Sequence, residues 1–145
     1  MSDGSSTGTV FIVDDDAAVR DSLFILLDAY GFGVEAFDSV TAFSARPAKR
    51  GACLILDQHM PVVTGLEFLA SPNGKSLHMP VILVTAHNDK DIRAQAQEAG
   101  VFAFLAKPVD ADALMIAVNG AIAIDRNQGG TERSRLTKAA KGEYP

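Results

Sequence analysis

Cysteine is almost absent from this 145-residue sequence: Cys53 is the only one, so no disulfide can form within the chain. It falls inside an apolar run, where a thiol acts as a small buried hydrophobe rather than a reactive group. No apolar stretch approaches the roughly 20 residues that span a bilayer. No signal-peptide core follows Met1, so the expected location is the cytoplasm, away from membranes. Basic charge is also scarce over most of the chain: residues 1–125 hold 8 Lys and Arg against 16 Asp and Glu, whereas 126–145 hold 5 against 2. An acidic body argues against direct nucleic-acid binding. What the chain does have is apolar side chains, 48% of the total, enough over this length for one domain with its own core.

The organising stretch is Cys53 to Pro61, Cys-Leu-Ile-Leu-Asp-Gln-His-Met-Pro, an apolar run that stops on a carboxylate. A short run of this kind bounded by polar and proline signals reads as a central parallel strand covered on both faces. Asp57 then sits at the strand's carboxyl end, the edge at which open parallel sheets bind ligands. A second strand, Thr9 to Val13, ends the same way on Asp14-Asp15-Asp16. One aspartate is explained as the cap of the helix that follows. Three exceed that need, and if the two strands are neighbours Asp14 and Asp15 approach Asp57. Two like charges about 4 Å apart at an effective dielectric near 20 cost about 4 kcal/mol, so the cluster implies a cation. Hard oxygen ligands at a partly open site suit Mg²⁺.

Residues 1–8 read as a flexible polar leader, 9–125 as the folded domain and 126–145 as a disordered polar tail. After the first strand, Val19, Leu23, Leu26, Leu27 and Tyr30 recur at helical spacing from Ala17, with Gly31 as the stop. Val34 to Phe37 is a short strand, and Asp38-Ser39 caps a short helix through Ser44. Arg46 to Gly51 is a loop. A helix near Leu66 to Ala70 is expected to end at Ser71-Pro72-Asn73-Gly74. Pro80 to Thr85 is the fourth strand, Asp89 to Ala99 a thinly apolar helix, and Val101 to Ala106 the fifth strand, ending at Lys107-Pro108. Asp110 opens a last helix with Leu114, Val118, Ala121 and Ile122 inward. Five strands alternating with five helices through short connections predict a parallel α/β sheet with helices on both faces. Four strand ends then carry polar groups: Asp14/Asp15, Asp57, Thr85 and Lys107.

Val-Asp-Asp-Asp at 13–16, Leu-Asp-Gln-His-Met-Pro with Thr64-Gly65 at 56–65, Val-Thr-Ala at 84–86 and Lys-Pro at 107–108 follow one another on consecutive strand ends. In this the chain, from about Thr9 to Ile124, resembles the receiver domain of two-component response regulators, the CheY-like fold. The resemblance implies a doubly wound, flavodoxin-like sheet of order 2-1-3-4-5. It implies that Asp57 accepts a phosphoryl group from a partner histidine kinase or phosphotransfer protein. Asp15, Asp57 and the backbone carbonyl of His59 would hold Mg²⁺, with Asp14 acting through water. Lys107 and Thr85 would contact the phosphoryl oxygens, and the Lys107-Pro108 bond would be cis. Phe104 would be the switch aromatic, coupling the site to a face used for a downstream protein target or a phosphorylation-dependent homodimer. Such a domain is not an enzyme beyond its own phosphoryl transfer and dephosphorylation.

Gln58, His59 and His87 depart from the family's commoner choices, and His59 and His87 stand where the family sets the lifetime of the aspartyl phosphate. A zinc site from His59, His87 and the acids is a weaker alternative. A degenerate receiver acting as a constitutive interaction module lacks the phosphoacceptor or the lysine, and both are present. A flavodoxin-like enzyme or nucleotide binder wants a Gly- or Ser/Thr-rich phosphate loop after the first strand, where Asp14 to Asp16 stand instead. The polar stretch after the last helix, about 20 residues, cannot hold a helix-turn-helix domain of the usual size. The chain therefore reads as a stand-alone receiver, with a fragment of a DNA-binding regulator as the other reading.

Overall fold

Buried runs become strands and amphipathic runs become helices in the computed structural model, which describes residues 8–46, 53–86 and 90–128. The strands are β1 Thr9–Val13, β2 Gly33–Phe37, β3 Cys53–Asp57, β4 Val81–Thr85 and β5 Ala103–Ala106. The helices are α1 Ala17–Ala29, α2 Val40–Ser44, α3 Gly65–Ala70, α4 Pro72–Lys75, α5 Lys90–Ala99 and α6 Ala111–Gln128. All neighbouring strands pair in parallel, in the order β2-β1-β3-β4-β5. This is the expected sheet, with six helices among the described residues where five were predicted.

The extra helix arises from a signal with two meanings. Ser71-Pro72-Asn73-Gly74 looks like a turn, but Ser71 Oγ accepts the Gly74 N–H at 3.2 Å and Pro72 occupies the first helical position, where its missing N–H costs nothing. Ser71 thus ends α3 and caps α4. The fifth strand starts two residues later than expected because the Val101 N–H bonds the Ala96 carbonyl at 3.2 Å and so closes α5 instead of joining the ladder. The last helix runs to Gln128, three residues past the expected domain boundary. Residues 1–7 of the expected leader, 47–52 of the expected loop region, His87 to Asp89, and 129–145 of the expected tail lie outside the described residues.

Caps were more legible. Asp16 Oδ1 accepts from Ala18 N at 2.9 Å and Val19 N at 3.4 Å, Ser39 Oγ from Ala42 N at 3.1 Å, and Asp110 Oδ2 from Ala113 N at 2.9 Å. Each satisfies a helix-start N–H that would otherwise need water, a contribution of about 1 kcal/mol. Gly31, at φ +92°, lets the Phe32 N–H turn back to the Leu27 carbonyl at 3.2 Å and ends α1 where expected.

Strand alternation divides the core into two layers. Val10, Ile12, Cys53, Ile55, Ile82 and Val84 face Leu23 and Leu27 of α1 and Leu114, Val118 and Ala121 of α6. Phe11, Val13, Leu54, Leu56, Leu83 and Phe104 face Phe43, Phe68 and Ala96. Every residue of β3 and β4 is buried, as a central parallel strand requires. Cys53 is fully buried, as its place in the run predicts. Among the described residues no helix is long and apolar enough to cross a membrane.

One position conflicts with its side chain. Val62, in the loop after β3, holds φ at 73° with its side chain 98% exposed. A β-branched residue in the left-handed region is strained by roughly 1–2 kcal/mol, and exposure offers no packing in return. Val62→Asn is therefore expected to stabilise the fold by about 1 kcal/mol, read as a raised midpoint in urea denaturation. An unchanged or lowered midpoint would contradict the strain.

Candidate functional site

The register that aligns the apolar residues also gathers the polar ones. Val13 of β1 pairs with Leu56 of β3, so Asp14 and Asp57 leave adjacent strands side by side. Residues 10, 12 and 14, 53, 55 and 57, and 103, 105 and 107 share one parity, that of the layer under α1 and α6. Residues 81, 83 and 85 share the other, together with Phe104. The carboxyl edge therefore has two halves. Asp14, Asp57 and Lys107 make a charged half, and Thr85 sits with Phe104 on the opposite half.

Lys107 connects the acids. Its Nζ donates to Asp14 Oδ2 at 2.9 Å and lies 3.1 Å from Asp57 Oδ1. The Lys107-Pro108 bond is cis, as the resemblance implied. The Lys107 backbone N–H donates to the Thr85 carbonyl at 2.8 Å, which ties the end of β5 to β4 beneath the side chain. Burial works against the ammonium, but the contact with Asp14 and then Asp57 outweighs it and holds Lys107 above the ordinary lysine range.

Asp14 is fully engaged. Its N–H donates to Phe37 O at 3.1 Å, its carbonyl accepts from Arg20 Nη1 at 2.7 Å, Oδ1 accepts from Asp16 N at 2.9 Å, and Oδ2 takes the lysine. Asp57 contrasts with it. Its side chain is 3% exposed, and Oδ1 is buried without an aligned hydrogen bond among the described residues, although Lys107 is within ion-pair reach. Burial, and then the negative charge of Asp14, push the Asp57 carboxyl up to about 6, with Lys107 and the His59 backbone N–H opposing the rise. Asp15 is exposed at the mouth, and one oxygen each from Asp14, Asp15 and Asp57 lies within 4.8 Å of the others. Three hard oxygens, one of them buried and unsaturated, in a site where burial and then the charge of Asp14 raise a carboxyl pKa, fit a small divalent cation.

The loop after β3 is pinned from several sides. Gln58 N donates to Val84 O at 2.8 Å, Gly65 N to Gln58 O at 3.0 Å, and Leu66 N to Gln58 Oε1 at 2.8 Å. Gln58 departs from the family's commoner apolar choice, yet its buried carboxamide ties Asp57's strand to the start of α3. Gly65 is required by close approach, since a Cβ there would lie 2.7 Å from the Asp57 carbonyl oxygen. Thr64 and Glu67 complete a reciprocal capping box, with Thr64 Oγ1 accepting from Glu67 N at 3.1 Å and Glu67 Oε1 from Thr64 N at 2.9 Å. Sequence reasoning missed this box, although the Thr-x-x-Glu spacing is its signal.

The remaining candidates are placed as follows. Thr85 is fully buried at the end of β4, the His59 side chain is exposed, and Phe104 is 4% exposed with the Arg93 guanidinium 4.8 Å from its ring centroid. His87 lies outside the described residues. Sequence reasoning missed Arg20 and the supporting role of Gln58, because neither belongs to a periodic pattern. It also missed a groove of about 590 Å³ between α1 and the Lys107 turn, lined by Ala18, Val19, Ser22, Leu26, Pro108 and Val109.

Comparison with known proteins matches residues 10–119 to the response regulator receiver domain. The chain is 37% identical over 119 residues to the transcriptional regulatory protein FixJ of Bradyrhizobium diazoefficiens, covering 81% of this chain and 58% of that protein. It is 35% identical over 131 residues to the transcriptional regulatory protein TdiR of Thauera aromatica, covering 90% and 58%. The chain thus spans a little over half the length of these relatives. Among solved structures, the response regulator StyR superposes with a TM-score of 0.75 at 36% identity over 90% of this chain and 65% of that one. A receiver domain from Clostridium thermocellum superposes with a TM-score of 0.75 at 29% identity, covering 83% and 98%. A match that begins in β1 and ends within α6 takes in every strand end that bears a site residue, and this chain belongs to the response regulator receiver domain family.

Proposed function

We propose that the chain is a phosphorylation-activated switch in which Asp57 takes a phosphoryl group from a phosphohistidine on a partner kinase or phosphotransfer protein. One observation carries the reading: a buried carboxylate with an oxygen free of hydrogen bonds, flanked by a lysine within ion-pair reach at a sheet edge. In the transfer, an Asp57 oxygen forms a bond to phosphorus while the bond from phosphorus to the imidazole nitrogen breaks. Such transfer needs a positioned nucleophile and charge neutralisation more than acid–base catalysis. Asp15, Asp57 and the His59 carbonyl would hold Mg²⁺ directly and Asp14 through water, and the bound ion would neutralise the phosphoryl oxygens. Lys107 shifts its contact from Asp14 toward the incoming oxygens. The apolar groove beside Lys107 gives a phosphodonor a docking surface continuous with the site.

The output is a change of protein contacts. Thr85 and Phe104 lie on one half of the edge, so a hydroxyl drawn toward the phosphoryl group alters the space open to the ring and biases the face formed by α5, β5 and α6. The relatives named above are transcriptional regulators longer than this chain; the proposed step is the switch they would share with it.

Incubation with acetyl phosphate and Mg²⁺ is expected to add one phosphoryl group to the protein and none to Asp57→Asn, measured by intact-mass spectrometry. Undiminished labelling of the variant would overturn the assignment. With beryllofluoride bound at Asp57, amide resonances across 90–118 are expected to move and a larger species or tighter partner binding to appear in sedimentation. Unchanged resonances with the site occupied would reject Phe104 as the readout.

Ionisation of Asp57 has a stability consequence. Its carboxyl sits near 6 in the folded chain against 3.8 unprotected. The folded state therefore binds the proton more tightly, and stability falls as pH rises from about 4 through 6. Without added cation, Asp57→Asn is expected to be more stable than the parent by about 3 kcal/mol at pH 7, and to lose that advantage below about pH 4. Urea denaturation at the two pH values checks both statements.

A further inference from the structure

We propose that Arg20 is a positioning residue for the cation site, an inference that rests on the proposed use of Asp14, Asp15 and Asp57 to hold Mg²⁺. Arg20 stands one turn into α1, where its own N–H donates to the Asp16 carbonyl at 3.0 Å, and its Nη1 donates to the Asp14 carbonyl at 2.7 Å. The Asp14 carbonyl and the Asp15 N–H belong to one rigid peptide plane. A donor that holds that carbonyl sets the plane from which Asp15 departs. On the other side Asp16 is fixed as the cap of α1 and by its N–H bond to Asp14 Oδ1. Asp15 is therefore strung between two anchored neighbours, although its carboxylate is exposed and takes part in none of these bonds.

Two effects of Arg20 on a bound cation oppose each other, and the opposition makes the proposal testable. As a nearby positive charge it repels Mg²⁺ and lowers affinity. As the support of Asp15 it keeps a ligand oxygen within reach of Asp57 and raises affinity. Partners that orient a metal's ligands commonly account for about 10–100-fold in affinity. The bond is short, its donor comes from a regular helix, and the repelling charge is screened by solvent at a partly exposed position, so positioning wins.

Mg²⁺ titration of the full chain followed by amide NMR shifts tests this. Arg20→Met, which removes both charge and donor, is expected to weaken Mg²⁺ about tenfold. Arg20→Lys keeps the charge and loses the planar fork, and is expected to weaken Mg²⁺ by a smaller factor; it carries the test if the methionine variant does not fold. In both, the Asp15 and Asp16 amides are expected to shift before any cation is added. Folded variants that bind Mg²⁺ as tightly as the parent, or tighter, overturn the role of Arg20 and leave the cation site standing. A parent chain that binds no Mg²⁺ overturns the reading of the site and this inference with it.

Discussion

The structure depends on an electrostatic conflict at the carboxyl edge of the sheet. Two apolar strands, β1 and β3, lie side by side, and their register puts Asp14 next to Asp57. Apolar burial along five strands and the helices that cover them is large enough to impose the arrangement, since each fully buried large aliphatic side chain contributes about 1.5–3 kcal/mol. Lys107, arriving on β5, offsets the repulsion only partly, because its hydrogen bond goes to Asp14 while Asp57 remains buried with its carboxyl pKa raised. The fold thus holds a carboxylate cluster whose mutual repulsion a cation would relieve.

How the relief would be felt elsewhere follows from the pleat. Asp14, Asp57 and Lys107 share the layer under α1 and α6, and Thr85 shares the other layer with Phe104 under α5. β4 links the two halves of the edge, since its Thr85 carbonyl also receives the Lys107 backbone N–H. β4 is buried along its whole length. A close-packed strand of this kind transmits displacement, whereas a loosely packed one would absorb it.

The loop after β3 needs support because it carries the residues next to Asp57 while making no ladder of its own. Its hydrogen bonds run to β4 through the Gln58 N–H and to α3 through the Gln58 carbonyl and carboxamide, and the capping box at Thr64 and Glu67 fixes where α3 begins. Gly65 lets the helix start against the Asp57 carbonyl. The same tightness leaves Val62 in a conformation ill suited to a β-branched side chain.

The chain by itself determined the features that depend on local pattern. Apolar runs ending on Asp14, Asp57, Thr85 and Lys107 marked the strands and their polar ends, and Ser39, Asp110 and Gly31 marked helix boundaries. These signals are one-dimensional: they say which face is apolar and which N–H needs a cap. They became ambiguous at Ser71-Pro72-Asn73-Gly74, where one string of residues can stop a helix or start one, and at Val101, where the N–H could serve the ladder or the end of α5. Sheet order came from resemblance, since short connections allow more than one. Only tertiary structure decided that Lys107 hydrogen-bonds Asp14 while standing 3.1 Å from Asp57, that Arg20 holds the Asp14 carbonyl, and that Gln58 is a buried tie. A side chain's partner across strands or from helix to loop depends on register and direction in three dimensions, and periodicity carries neither.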